Sequence, residues 1–169
     1  WFIFLSTLGP IKKKFGLNKS EKDYLLKISK NFNIKDAIRI KDIEKITNHD
    51  VKSVEYFLKD KFDGHKTLKN KKELIHFCAT SEDINNISYA LMYKDSREIL
   101  LKKLSDLCKI IKKYEIKYAN TSMLSRTHGQ KATPTTFGKE LKVFTSRIEK
   151  QFLFMKKRDI FAKMNGAVG

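Results

Sequence analysis

The side chain in this sequence best suited to moving a proton is His128, in the run Leu124-Ser125-Arg126-Thr127-His128-Gly129-Gln130-Lys131-Ala132-Thr133-Pro134-Thr135-Thr136-Phe137-Gly138. Imidazole holds and releases a proton near neutral pH, and a short connection anchored by a rigid element is a good mount for such a group. Two polar clusters could bind what His128 acts on. Thr47-Asn48-His49-Asp50 stands before Val51, Val54, Phe57 and Leu58 at helical spacing, and Thr80-Ser81-Glu82-Asp83 has the spacing of a capping box. The N-terminus of a helix offers unpaired N–H groups and a positive dipole end, which suit phosphate or carboxylate. Each cluster also has a plainer reading. His128 and His49 could be exposed surface residues, and Asn48 or Asp50 simple N-caps.

The elements that must position these residues read as helices. Thr133 is a good N-cap and Pro134 fits a first helical position, so a helix is expected from Pro134 to about Met164. Its apolar face is Phe137, Leu141, Phe144, Ile148, Phe152 and Met155, with Gly166 as the stop. Thr80 and Asp83 open a second long helix, whose stripe from Ile84 to Tyr114 is interrupted at Lys94-Asp95-Ser96. A kink or a change of packing partner is expected there. Residues 115–127 carry the chain back, extended at 121–124. Ser20-Glu21-Lys22-Asp23 also reads as a capping box, and residues 34–46 as an amphipathic helix. Residues 60–72 read as a polar loop, and Leu74, Ile75, Phe77 and Cys78 as a short buried segment. The expected fold class is all-α: an N-terminal helical domain over residues 1–79, then the first long helices of a bundle over 80–169. Helices of about thirty residues, at ~1.5 Å each, run ~45 Å and suit a bundle completed by other chains.

Composition narrows the function. With 36 Lys+Arg against 19 Asp+Glu, the 169-residue chain carries a formal net charge of +17. The excess is lysine, dispersed over every segment, with only Arg39, Arg97, Arg126, Arg147 and Arg158 as arginines. Base readout favours Arg, so solvated faces are expected and no specific nucleic-acid partner. A basic helical nucleic-acid-binding module stays as the rival reading. Cys78 and Cys108 lack partners at metal-ligand spacing, so buried free thiols in a reducing compartment are expected, with no metal. No apolar run approaches bilayer length, and basic residues follow Trp1-Phe2-Ile3-Phe4-Leu5 where a signal peptide would have them first. The expected location is the cytoplasm, without membrane association. The opening on Trp1 suggests a start inside a longer reading frame.

Three blocks, in order, resemble the bacterial adenylosuccinate lyase family of the fumarase/aspartase superfamily. They are Thr47-Asn48-His49-Asp50-Val51-Lys52-Ser53-Val54-Glu55-Tyr56-Phe57-Leu58; Ile75-His76-Phe77 with Thr80-Ser81-Glu82-Asp83-Ile84-Asn85-Asn86; and the His128 run, continuing to Lys163-Met164-Asn165-Gly166-Ala167-Val168-Gly169. Together they span about residues 40–169. Residues 1–39 match only in general helical character.

The resemblance implies a mostly helical homotetramer that eliminates fumarate from adenylosuccinate, giving AMP, and from the succinyl-carboxamide ribotide of purine synthesis. It implies anionic nucleotide substrates and neither metal nor organic cofactor. His128 falls on the family's general acid. Asn48, His49 and Asp50 fall on one substrate-binding group, and Thr80 and Ser81 on another. Lys131 departs from the family, which usually has proline there. The family's early Arg-Tyr phosphate contact would precede Trp1, and its loop carrying the catalytic serine base would follow Gly169. The chain is therefore expected to be an internal fragment, inactive alone. Argininosuccinate lyase or fumarase is the more distant alternative within the superfamily, and a degenerate remnant that keeps only the fold is another.

Overall fold

The computed structural model describes residues 1–168; Gly169, the last residue of the third block, lies outside them. The chain forms two compact units. The first comprises Trp1–Ile87 and the terminal stretch that begins at Lys163; the second is Ser88–Ala162.

The first unit contains α1 (Phe2–Leu5), α2 (Gly9–Phe15), α3 (Lys19–Lys30), α4 (Ile34–Thr47), α5 (Asp50–Asp63), a 3-10 turn (Leu68–Leu74) and the start of α6 (Ser81–Lys117). Its core gathers Leu5, Ile43, Val51, Phe57, Phe62 and Leu68, all buried. The Phe2 ring packs on Phe62 at 5.2 Å. Leu68 is fully buried on the 3-10 turn, so part of residues 60–72 is ordered against α5 and is not a plain polar loop. Phe77 and Cys78 are exposed, while Cys108 is buried; both cysteines are free. Cys78 sits at φ 56° on the irregular path into α6, where no helical face exists to bury it.

The capping box of α3 uses Asn18 and Glu21, two residues earlier than the Ser20 pattern suggests. The Asn18 Oδ1 accepts from the Glu21 N–H, and Glu21 Oε2 accepts from the Asn18 N–H, each at 2.9 Å. What fixes the register is the far side of Glu21. Its carboxylate accepts from Thr67 Oγ1 at 2.6 Å and from Lys71 Nζ at 2.8 Å, and Lys71 Nζ also donates to the Gly16 carbonyl. Burial disfavours the charged form, yet Lys71 and Thr67 outweigh it and hold the Glu21 carboxyl below its ordinary range. The pair ties the start of α3 to the 3-10 turn.

The second unit contains the rest of α6, β1 (Ser122–Thr127), β2 (Gln130–Thr136) and α7 (Phe137–Lys157). The helix α6 continues through residues 94–96 without a break. At ~1.5 Å per residue its 37 residues run about 55 Å. The strands pair antiparallel, with Thr127 opposite Gln130 across the turn.

Pro134 is therefore a strand residue, opposite Leu124, and not the first residue of a helix. A two-stranded ribbon has only edges, where a proline's missing N–H costs little. A bulge adjoins it: between the pairs Leu124/Pro134 and Arg126/Lys131, Ala132 and Thr133 share the single opposing Ser125. Ser125 Oγ fills the gap by donating to the Thr133 carbonyl at 2.7 Å. The helix starts at Phe137, capped by Thr136, whose hydroxyl accepts from the Lys139 N–H at 3.2 Å. It ends at Lys157, because Arg158 turns extended, well short of Met164.

Gly138 joins the hairpin and α7 to the end of α6. A Cβ there would lie 2.5 Å from the Glu115 carbonyl oxygen and 2.6 Å from Ala119 Cα, both backbone atoms. That close approach lets Phe137 N–H donate to the Thr121 carbonyl and Gly138 N–H to the Tyr118 carbonyl, each at 2.9 Å.

Candidate active site

Two helix N-termini meet in the first unit. Asn48 ends α4 in the left-handed region (φ 51°, ψ 32°), its N–H donating to the Glu44 carbonyl at 2.8 Å. Asparagine tolerates that conformation better than most residues, so the chain can reverse at once into α5. His49 then serves as the N-cap of α5, accepting from the Lys52 N–H through Nδ1 at 3.3 Å. The backbone of His49 is held as well: its carbonyl accepts from the hydroxyls of Thr47 and of the fully buried Ser53.

The start of α6 faces this junction. His49 Nε2 lies 3.4 Å from Ser81 Oγ, and Asp50 Oδ2 accepts from the Asn85 side-chain amide at 2.9 Å. His49 Nδ1 also lies 3.2 Å from Asp50 Oδ1, so the tautomer of the ring decides whether Nε2 donates to Ser81 or accepts from it. Asp50 is held below the ordinary carboxylate range, first by the Val51 N–H and then by Asn85. Thr80 precedes Ser81 and donates its N–H to Asp83 Oδ2 at 3.0 Å. Asn48, His49, Asp50, Thr80 and Ser81 thus belong to one neighbourhood of the first unit. Two positive dipole ends converge there, lined by an imidazole, hydroxyls and the Asp50 carboxylate; the dipole ends suit an anion, and Asp50 offers an acceptor beside them. Asn85 is a member that sequence reasoning passed over; it lies inside the second block, but its partner is 35 positions away.

His128 belongs to the second unit. It and Gly129 form the two-residue turn between β1 and β2, with φ values of 50° and 75°. Positive φ at both central residues is what a type I′ hairpin turn requires. The imidazole is exposed, and among the described residues no side chain pairs with it. Its backbone is fixed by the turn, the ladder and the tie of the hairpin base to α6. Lys131 pairs with Arg126 in the ladder, between the turn and the bulge.

The fold is shared with solved structures. The chain superposes on a fumarate lyase from Mesorhizobium sp. BNC1 with a TM-score of 0.74 and 19% identity, over 90% of this chain and 35% of the other. It matches a 3-carboxy-cis,cis-muconate lactonizing enzyme from Pseudomonas putida with a TM-score of 0.71 and 17% identity, over 88% of this chain and 34% of the other. The chain belongs to the lyase family whose model matches residues 15–169. It is 49% identical to the adenylosuccinate lyase of Buchnera aphidicola subsp. Acyrthosiphon pisum and 45% identical to that of Escherichia coli K12. Both matches cover 100% of this chain, so the relation extends through residues 1–39 as well as the three blocks. The chain spans 37% of the length of these relatives. Among the described residues, no helix is long and apolar enough to cross a membrane.

Proposed function

We propose that the complete protein containing this chain is an adenylosuccinate lyase that eliminates fumarate from adenylosuccinate, giving AMP, and from the succinyl-carboxamide ribotide. The observation that carries this is the convergence of His49 and Ser81 at two helix N-termini, in a chain 49% identical to an adenylosuccinate lyase. In the β-elimination, a base removes the proton beside a carboxylate, the C–N bond breaks, and fumarate leaves with the electrons of the C–H bond in its new double bond. His128 is the acid that gives its proton to the departing nitrogen. Asn48, His49, Asp50, Thr80 and Ser81 bind the anionic nucleotide substrate. The base comes from outside this chain, and acid–base groups suffice without metal or organic cofactor.

The complete protein is a homotetramer in this reading. The exposed apolar side chains of α6, among them Leu91, Ile99, Ile110 and Ile116, support assembly onto further helices. The free thiols support a reducing compartment, the cytoplasm. The test is fumarate formation from adenylosuccinate by the full-length protein. A full-length protein without that activity, but with intact fold and assembly, would overturn the proposal.

A further inference from the structure

The first two turns of α6 hold more than the junction with α5. Ser81 and Asn85 reach His49 and Asp50. Asp83 and Asn86 reach in another direction, to residues 163–166 of the same unit. The Asp83 side chain is 1% exposed. Its Oδ2 accepts from the Thr80 N–H at 3.0 Å. Its Oδ1 accepts from the N–H groups of Asn165 at 3.0 Å and Gly166 at 3.2 Å, and from Lys163 Nζ at 3.3 Å. Asn86 holds the backbone of Lys163 from both sides: Oδ1 accepts from the Lys163 N–H at 2.7 Å, and Nδ2 donates to the Lys163 carbonyl at 3.0 Å. Lys163 Nζ closes the ring by donating to the Gly166 carbonyl.

A capping aspartate needs only the N–H groups of its own helix. Here one carboxylate oxygen serves the helix start and the other serves a segment about eighty residues later. Gly166, at φ 83°, is in the left-handed region that glycine enters at no steric cost, next to the Asn165 and Gly166 N–H groups that share a single oxygen. The carboxyl is held below its ordinary range, first by the Thr80 N–H and, against the cost of burial, by Gly166 and Asn165. Thr80 and residues 163–166 are therefore joined through a single rigid group.

We propose that Asp83 and Asn86 are positioning residues for Thr80 and Ser81, fixing the substrate-side geometry of the α6 start by tying it to residues 163–166. The inference rests on the reading of Thr80 and Ser81 as substrate-binding. Neither Asp83 nor Asn86 is assigned a contact with substrate.

The test uses Asn86→Ala and Asn86→Asp in the full-length protein, beside Asp83→Asn. Asn86 makes no bond to Thr80 itself; besides its two bonds to Lys163, its Nδ2 donates to the Glu82 and Asp83 carbonyls of its own helix, so its effect on Thr80 passes through the first turn of α6 and the clamp together. The Asp variant keeps the acceptor for the Lys163 N–H and loses the donor. Expected in Asn86→Ala are a KM for adenylosuccinate raised about tenfold, kcat within about threefold of wild type, and faster hydrogen exchange at the Thr80 amide. Asn86→Asp should fall between Asn86→Ala and wild type. Folded Asn86 variants with unchanged KM and unchanged Thr80 exchange would overturn the proposal, even if their thermal stability drops. A wild-type protein that does not turn over adenylosuccinate would instead sink the functional reading, and the exchange measurement would still decide whether the clamp orders Thr80.

Discussion

Ser81 Oγ lies 3.4 Å from His49 Nε2, although 32 positions separate the two residues. The contact joins the cap of one helix to the first residue of another, so either side chain can be removed without emptying a core. His49→Ala and Ser81→Ala in the full-length protein should each weaken substrate affinity by about 1–3 kcal/mol, the loss typical of a hydrogen bond to a charged group. Titration calorimetry checks this. Unchanged affinity in both variants would leave the pair with a capping role only.

Replacing His128 by Gln should preserve the fold, since the residue is exposed and its role in the turn is a backbone one. Glutamine can hydrogen-bond but cannot give up a proton at neutral pH. Turnover should fall by roughly 10²–10⁴, the usual contribution of a general acid. A kcat within about threefold of wild type would remove His128 from the chemistry.

Gly138→Ala should destabilise the protein by about 1–3 kcal/mol, because the new methyl meets backbone atoms that cannot swing aside. Chemical denaturation of the full-length variant measures it. Stability equal to wild type would mean that α6 and α7 can separate here without cost.

Glu21→Gln should cost up to about 3 kcal/mol at neutral pH, by breaking a buried ion pair while leaving a neutral acceptor for Lys71. The Glu21 carboxyl titrates below its unfolded value of about 4.3, so its contribution is complete above that pH and is lost as the pH falls through the lower native value. The stability gap between wild type and variant should therefore narrow below about pH 4. A gap that stays constant through acid would show that the pair is not what Glu21 contributes.

Local pattern was enough for some of this architecture and not for the rest. The helix expected over residues 34–46 is α4, Ile34–Thr47, but its apolar spacing does not give the buried face: Ile43 is buried, whereas Ile34 and Ile38 are exposed. The start of α3 was locally ambiguous, since Asn18 and Ser20 each have a carboxylate three residues on. The tie is broken by Lys71, 50 positions away from Glu21. Pro134 is ambiguous for a related reason. A threonine before a proline fits a helix start and a bulged edge strand equally well, and the choice depends on Leu124 in the partner strand. The polar clusters around His49 and Ser81 stood out as helix starts, and their resemblance to a family suggested a role. Their approach to each other, and the clamp made by Asp83 and Asn86, depend on partners tens of residues distant, which spacing alone does not reveal.

The close seat of Gly138 against Ala119 has a mechanical consequence for His128. The hairpin is bonded at its base to the end of α6 and carries the imidazole at its far tip. Six strand residues at ~3.3 Å each make an arm of about 20 Å, so a rotation of about 5° at the base sweeps the tip through about 1.7 Å. A displacement of ~1 Å at a reacting group can cost about a hundredfold in rate. The glycine thus acts as the bearing of a lever: if His128 is the acid proposed above, the accuracy of its proton delivery at one end is set by the fit of two backbones at the other.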